Sequence, residues 1–328
     1  MKRLLLVIAI SGAQCFVALA QSSPIIAGAG YSPPAPLQAA PGQVVTMFVR
    51  DLPRTADGQF RSGSASGLPL PTALGGISVA IVQASGTLKA PIFAVRQESE
   101  CQAAGVDEAS CLLTAIQIQV PYDLAAEISL SPLKRVIYAP LAQVRIDVDG
   151  HSGRPFALQP LPDNAHVLTS CDTSWFAGTG KECQRSVYHA DGSVADENAP
   201  AKPGETVVVY AYGLGTTGAN TVAGTAATTA APVSDLLGAP RLVAALQKDF
   251  LNASSSSPRV FADSRTLGDV TPITFNGLMP GGVGVYQVNI TLPQDLTSYP
   301  CGGEVHSNSV LNLTSLQGTE SIALCVQQ

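Results

Sequence analysis

An all-β chain organised as two tandem sandwiches is what the sequence predicts, and three observations carry that reading. Among the 328 residues, Gly (30) and Pro (24) are abundant while charged residues make up only 13%. Gly and Pro cost roughly 1 and 3 kcal/mol inside a helix, so this mixture favours short strands joined by turns. Several blocks alternate apolar and polar residues with period two, as Ile116-Gln117-Ile118-Gln119-Val120 does, the pattern of a half-buried strand. Those blocks then recur in the same order in the second half of the chain, which marks an internal repeat. The hydrophobic content of 46% suits packed cores and excludes a wholly disordered chain.

The first element is an address rather than structure. Lys2 and Arg3, the apolar run over 4–10 and the small-x-small sequence Ala18-Leu19-Ala20 read as a signal peptide over 1–20, cleaved before Gln21. Ser11, Gly12 and Gln14 break the run short of the ~20 apolar residues that a spanning helix needs. Gln14 precedes Cys15 where a lipidation site wants a small residue. No later stretch approaches transmembrane length. The expectation is an exported protein, extracellular, at the cell surface or periplasmic, with no membrane span in the mature chain.

The first sandwich is expected over 21–160. Ala40-Pro41-Gly42 and the strand over 43–52 have their counterpart in Lys202-Pro203-Gly204 and 205–214. The block 74–83 matches 237–247. Ile116, Ile118, Val120, Pro121, Asp123 and Leu124 match Val288, Ile290, Leu292, Pro293, Asp295 and Leu296, and 144–158 matches 309–324. Pro121 and Pro293 stop their strands, because Pro cannot donate to the ladder. Asp149-Gly150 turns the last hairpin of the first copy and Gln317-Gly318 that of the second. The Pro-rich stretch Gln159-Pro160-Leu161-Pro162 marks a boundary, with a linker expected over 161–186 and the second sandwich over 187–328. Low-complexity stretches at 61–67, 218–231 and 252–258 read as flexible inter-strand loops. Strands of this length, with turns at regular spacing, point to two tandem immunoglobulin-like β-sandwich domains. A single continuous barrel or jelly roll is the competing architecture.

Six cysteines follow Cys15. They admit many pairings, but they fall as three close couples, so Cys101–Cys111, Cys171–Cys183 and Cys301–Cys325 are the expected disulfides of an oxidising compartment. The CxxC-like spacing of a zinc site is absent.

The strand and Gly-Leu-Gly run over 203–215, the glycine-rich stretch 278–289 and the turn Tyr188-His189-Ala190-Asp191-Gly192-Ser193 resemble one bacterial family. It is the uncharacterised C-terminal module of secreted acidobacterial proteins, similar to bacterial Ig-like and IPT/TIG domains. The resemblance covers nearly the whole mature chain, most strongly over 186–322. It implies a pair of β-sandwiches, export and a cell-surface or extracellular role, and it carries no catalytic residue to transfer.

The chemical motifs are weak. Gly213-Leu214-Gly215-Thr216-Thr217-Gly218 fits the GxGxxG dinucleotide fingerprint and follows a strand, but that fingerprint also needs a helix. The stretch that follows is rich in Thr and Ala and stops at Pro232, and the matching positions of the first copy, Asp51-Leu52-Pro53-Arg54-Thr55, lack the glycines. A strand-exit turn accounts for both. Asp147 and Asp149, and Asp191 with Asp196, Glu197 and Asn198, could suggest calcium, but neither segment has the EF-hand pattern. His151, His166, His189 and His306 are placed in loops with no metal spacing, and no GxSxG elbow occurs. Trp175 and Phe176 are the candidate binding residues, because an aromatic held on a stapled loop is a preorganised contact for sugar or peptide. Packing of Trp175 between the sandwiches is the alternative. A formal charge of −6 disfavours nucleic acid. The expected function is therefore a non-catalytic module for binding, adhesion or scaffolding, with a protein or carbohydrate partner and no cofactor. The alternative is a hydrolase or carbohydrate-active accessory with its site in the inter-domain cleft.

Overall fold

The computed structural model describes residues 36–100, 111–133, 135–172, 183–218, 221–254, 268–295 and 299–327, together with the backbone of 25–29. The signal peptide expected over 1–20 lies outside these residues. The period-two blocks are strands. In the first half they are β1 (Ile25–Ala29), β2 (Leu37–Ala39), β3 (Val44–Arg50), β4 (Ser62–Ser64), β5 (Ala73–Leu74), β6 (Ile77–Gln83) and β7 (Gly86–Ala90). They continue through β8 (Ile92–Ser99), β9 (Leu112–Gln119), β10 (Ser129–Leu130), β11 (Val136–Ile137), β12 (Ala142–Val148), β13 (His151–Ser152) and β14 (Phe156–Pro160). The second half holds β15 (His166–Val167), β16 (Thr206–Tyr212), β17 (Ala231–Pro232), β18 (Val243–Lys248) and β19 (Asp269–Thr271). It closes with β20 (Ile273–Leu278), β21 (Tyr286–Thr291), β22 (Ser309–Ser315) and β23 (Gly318–Leu324). Among the described residues there is no helix, hence none long and apolar enough to cross a membrane.

These strands form two tandem immunoglobulin-like sandwiches. The first packs the sheet β1-β3-β9-β8-β4 on the sheet β2-β14-β12-β6-β5, to which β7 and β13 also pair. Met47, Val49, Ile116 and Ile118 from one sheet meet Ile77, Val79, Ile81 and Val144 from the other in one buried cluster. Each side chain of this size contributes about 1.5–3 kcal/mol on burial. The second packs β15-β16-β21-β20-β17 on β19-β18-β22-β23, with Val207, Val209 and Val288 against Leu246, Leu311 and Leu313 in a separate cluster. Two cores take the place of the single barrel.

The strand orders correspond term by term. β1-β3-β9-β8-β4 runs as β15-β16-β21-β20-β17 does, and β14-β12-β6-β7 as β23-β22-β18-β19. The irregularities correspond as well: the ladder shifts register between Ile92 and Ala94 in one unit and between Ile273 and Phe275 in the other. Each unit enters its central strand by the same turn, closed by a side chain three residues on. The Ala40 N–H donates to Gln43 Oε1 at 2.8 Å, and the Lys202 N–H to Glu205 Oε2 at 2.7 Å.

Three local readings change. The stretch 61–67, expected to be a flexible loop, contains β4, and Arg61 is only 1% exposed; its guanidinium finds partners that hydropathy does not register. The stretch expected to link the units contributes β15, antiparallel to β16, and Ala165 and Val167 belong to the second core. His166, placed in a loop from sequence, therefore sits in a buried strand. The disulfides Cys171–Cys183 and Cys301–Cys325 are formed. Cys111 is also disulfide-bonded, and its expected partner Cys101 lies outside the described residues.

Candidate binding face

The two sandwiches meet through buried polar groups. Gln119, at the end of β9 and fully buried, accepts from the Gly224 N–H through Oε1 at 2.6 Å, while its Nε2 donates to Tyr122 Oη at 3.4 Å and to the Gly42 carbonyl at 3.3 Å. The Leu70 N–H donates to the Gly224 carbonyl at 2.7 Å. Tyr122 packs on the second core and hydrogen-bonds Tyr286. Tyr286 Oη donates to the Gly215 carbonyl at 2.5 Å. Gln119 thus reaches the Tyr122 hydroxyl, the Tyr122 and Tyr286 phenols pair, and Tyr286 reaches the Gly215 carbonyl, which can only accept. Burial pushes the Tyr122 phenol up to about 12 and Tyr286 well above its ordinary value, so both stay neutral donors over the physiological range.

The Gly-Leu-Gly run serves the same junction. Gly213 and Gly215 have φ of 75° and 89°, a region costly for residues with a Cβ. A Cβ at Gly213 would lie 2.4 Å from the Asn164 carbonyl oxygen, and one at Gly215 would lie 2.1 Å from that of Pro162. The glycines admit the backbone of the connecting segment, which Arg241 holds by donating to the Pro162 carbonyl at 2.8 Å. Asn164 Nδ2 then reaches Gln43 Oε1 at 3.2 Å. The dinucleotide reading has no helix to rest on.

Beside this junction lies an apolar groove of about 470 Å³. Ile128 and Val136 form its wall on the first unit, facing Leu237, Val243, Val270 and Leu316 of the second. Val270 on the edge strand β19 is 76% exposed, so the rim is open to solvent. Thr314, Ser315 and the half-buried Arg241 also line it; the Arg241 guanidinium is engaged with the Ser234 and Pro162 carbonyls and Thr216, and burial lowers its pKa against the opposing effect of Asp163. The walls suit apolar side chains, with polar groups placed to orient them. A smaller pocket of about 240 Å³ opens beside Tyr122, Thr221 and Thr225.

Asp191 and Asp196 are occupied by their own turns, and His306 pairs with Glu197. Asp191 Oδ1 accepts from the Ser193 N–H, and Asp196 Oδ1 accepts from the Asn198 and Ala199 N–H groups, as Asx turns do. Among the described residues no cluster of three or more His, Cys, Asp or Glu could hold a metal. His166 Nε2 lies 3.0 Å from Asp172 Oδ1. Asp172 also accepts from the Thr169 N–H. Burial pushes the Asp172 carboxyl up, but the bonds from His166 and Thr169 outweigh it and hold the group below its usual range. That pair fastens the start of the Cys171–Cys183 loop.

His189 is engaged at both nitrogens, Nδ1 to Glu205 Oε1 at 2.6 Å and Nε2 to the Ala199 carbonyl at 3.0 Å. An ionised carboxylate and a carbonyl both accept, so the pair of contacts favours the imidazolium, in which both ring nitrogens donate. Its pKa is accordingly raised, chiefly by the Glu205 hydrogen bond. A raised folded pKa contributes stability that is complete below the unfolded value near ~6.5 and is lost as pH climbs through the folded value. Thermal midpoints are therefore expected to fall with rising pH across that window, and His189→Gln is expected to flatten the slope. An unchanged slope in the variant would refute the assignment.

Trp175 and Phe176 lie outside the described residues. The groove and the Gln119–Tyr122–Tyr286 chain were not singled out from sequence. Tyr286 and Gly215 both fall inside the glycine-rich stretches quoted there, which was the available signal.

No protein-family model matches the chain, and no curated protein does. The solved structures that align with it include Yersinia pseudotuberculosis adhesin InvE, at 12% identity and TM-score 0.20 over 93% of this chain and 59% of that one, and the C-terminal domain of the Streptococcus agalactiae AgI/II polypeptide BspA, at 9% identity and TM-score 0.16 over 92% and 96%. The chain thus spans 59% of the length of the first.

Proposed function

We propose that the chain is an exported, non-catalytic binding module, built from a duplicated sandwich, that presents its inter-domain groove to a protein partner at the cell surface or outside the cell. The observation that carries this reading is the open apolar groove between Val136 and Val270. Exposed apolar surface gathered into one concave face marks interaction sites more often than chance does. The groove is walled by aliphatic side chains, which favours apolar residues of a protein over a sugar, whose binding draws on aromatic platforms. The buried junction supports the reading, since two sandwiches held by hydrogen-bonded side chains keep both walls in register, which lowers the entropy cost of binding. The disulfides agree with an oxidising compartment.

The test is a display library of apolar-rich peptides against the purified mature chain, run beside ester, peptide and glycoside substrates. Saturable peptide binding is expected, lowered at least about tenfold by Val270→Asp, which puts a charge where an apolar side chain would be buried. Turnover of any substrate that His166→Ala abolishes would overturn the reading in favour of a hydrolase.

A further inference from the structure

Large apolar side chains are left exposed along 130–141: Leu130 (52%), Leu133 (78%), Val136 (38%), Ile137 (50%), Tyr138 (39%) and Leu141 (59%). Leu130, Leu133, Val136 and Ile137 belong to the ribbon β10–β11 and its turn, with Tyr138 and Leu141 just after it, and the ladder is only two pairs long, Ser129 with Ile137 and Leu130 with Val136. The turn is closed by the Ser131 N–H donating to the Arg135 carbonyl at 2.8 Å and by the Arg135 N–H donating to Ser131 Oγ at 3.0 Å. Cross-strand partners share a face, so Leu130 and Val136 lie on one side and Ile137 on the other. Apolar surface is thus exposed on both faces of the ribbon. A two-stranded hairpin is at best marginal alone in water.

Charge separates the candidate occupants. The chain is acidic overall, at −6, yet between Glu127 and Asp147 it carries no acidic residue while it has Lys134, Arg135 and Arg145. Arg145 is engaged with Asp147 at 3.2 Å, and Arg135 is exposed at the turn. A protein partner would cover one face of the ribbon. A medium that surrounds the ribbon covers both, and a basic tip beside exposed Leu, Ile and Tyr is the composition of elements that lie in a bilayer interface. We propose that the ribbon β10–β11 seats in the surface of an anionic lipid bilayer, with Leu133, Leu130 and Ile137 at the boundary between headgroups and acyl chains and Arg135 against lipid phosphate. This rests on reading the chain as a binding module and names a second ligand class for a ribbon that adjoins the groove at Val136.

The experiment is co-sedimentation of the full mature chain with phosphatidylglycerol–phosphatidylcholine vesicles and with phosphatidylcholine vesicles alone. Binding to the anionic vesicles and not to the neutral ones is expected, weakened by salt. Leu133→Ser is expected to lower partitioning at least about tenfold and Arg135→Gln about fivefold. Both side chains are exposed, and unchanged circular dichroism will verify that the variants fold. Absence of binding to anionic vesicles, equal binding to neutral ones, or full binding by Leu133→Ser would overturn the proposal. A concentration-dependent dimer that Leu133→Ser abolishes would also overturn it and assign the ribbon to a second copy. Vesicle binding that fails while peptide binding persists removes only the lipid inference; the reverse result removes only the groove.

Discussion

Arg61→Ala is expected to lower the stability of the first sandwich by about 1–3 kcal/mol, the range for leaving hydrogen-bonding groups without their buried partner. Arg61 is 1% exposed, and each arm of its guanidinium is engaged. Nε donates to the Pro53 carbonyl at 2.7 Å, Nη1 to the Gly75 carbonyl at 3.0 Å and to Asp149 Oδ1 at 3.3 Å, and Nη2 to the Arg54 carbonyl at 3.1 Å and to Asp149 Oδ2 at 2.6 Å. One side chain thus ties the strand-exit loop after β3, the turn before β6 and the hairpin turn after β12. Truncation takes the donor from three carbonyls and from Asp149, whose carboxylate keeps access to water. Arg61→Lys is not expected to rescue the loss, because an ammonium cannot span that fork. Asp149→Asn is expected to cost less, since Asp149 is 54% exposed and the carbonyl bonds remain. The Arg61 hydrogen bonds hold the Asp149 carboxyl below its usual range, so its contribution is present above the unfolded value near ~3.9 and is lost as pH falls through the folded one. Urea denaturation of the three variants is the measurement; a loss below about 1 kcal/mol for Arg61→Ala would place the pair with ordinary surface ion pairs.

Gly215→Ala is expected to cost about 2–4 kcal/mol, combining left-handed strain with a clash against the Pro162 backbone carbonyl. Gly218→Ala, where an added Cβ meets nothing within 4 Å, is expected to fall within about 0.5 kcal/mol of the parent. The pair of substitutions separates a junction role from phosphate binding, in which the third glycine also serves close packing. Equal tolerance of both would show that the connecting segment does not need the space at Gly215. In the parent chain, Gly215→Ala is also expected to weaken the Tyr286–Gly215 bond, visible as faster amide exchange along β21.

The strands were legible because their signal is local. Alternation at 116–120 and 288–292, the stops at Pro121 and Pro293, and the Asp149-Gly150 turn depend on residues within a few positions of one another. The fate of Arg61 was not legible, since its acceptors come from loops as far off as Asp149, and a lone Arg in a Ser- and Gly-rich stretch reads as solvated. The ribbon was missed for the opposite reason. Leu130, Leu133 and Ile137 look like core residues by hydropathy, and only the coordinates place them in water.

The turn at Gln43 and Glu205 marks the division. From sequence alone, the two Pro-Gly turns and the strands they open follow, because a side chain three residues on can always reach back to the same N–H. What each side chain holds besides its own turn was decided by tertiary structure: Gln43 takes Asn164 across the junction, and Glu205 takes His189. Those partners are more than a hundred residues away in one case and on a separate turn in the other, so their meeting depends on how finished sheets pack rather than on any pattern along the chain.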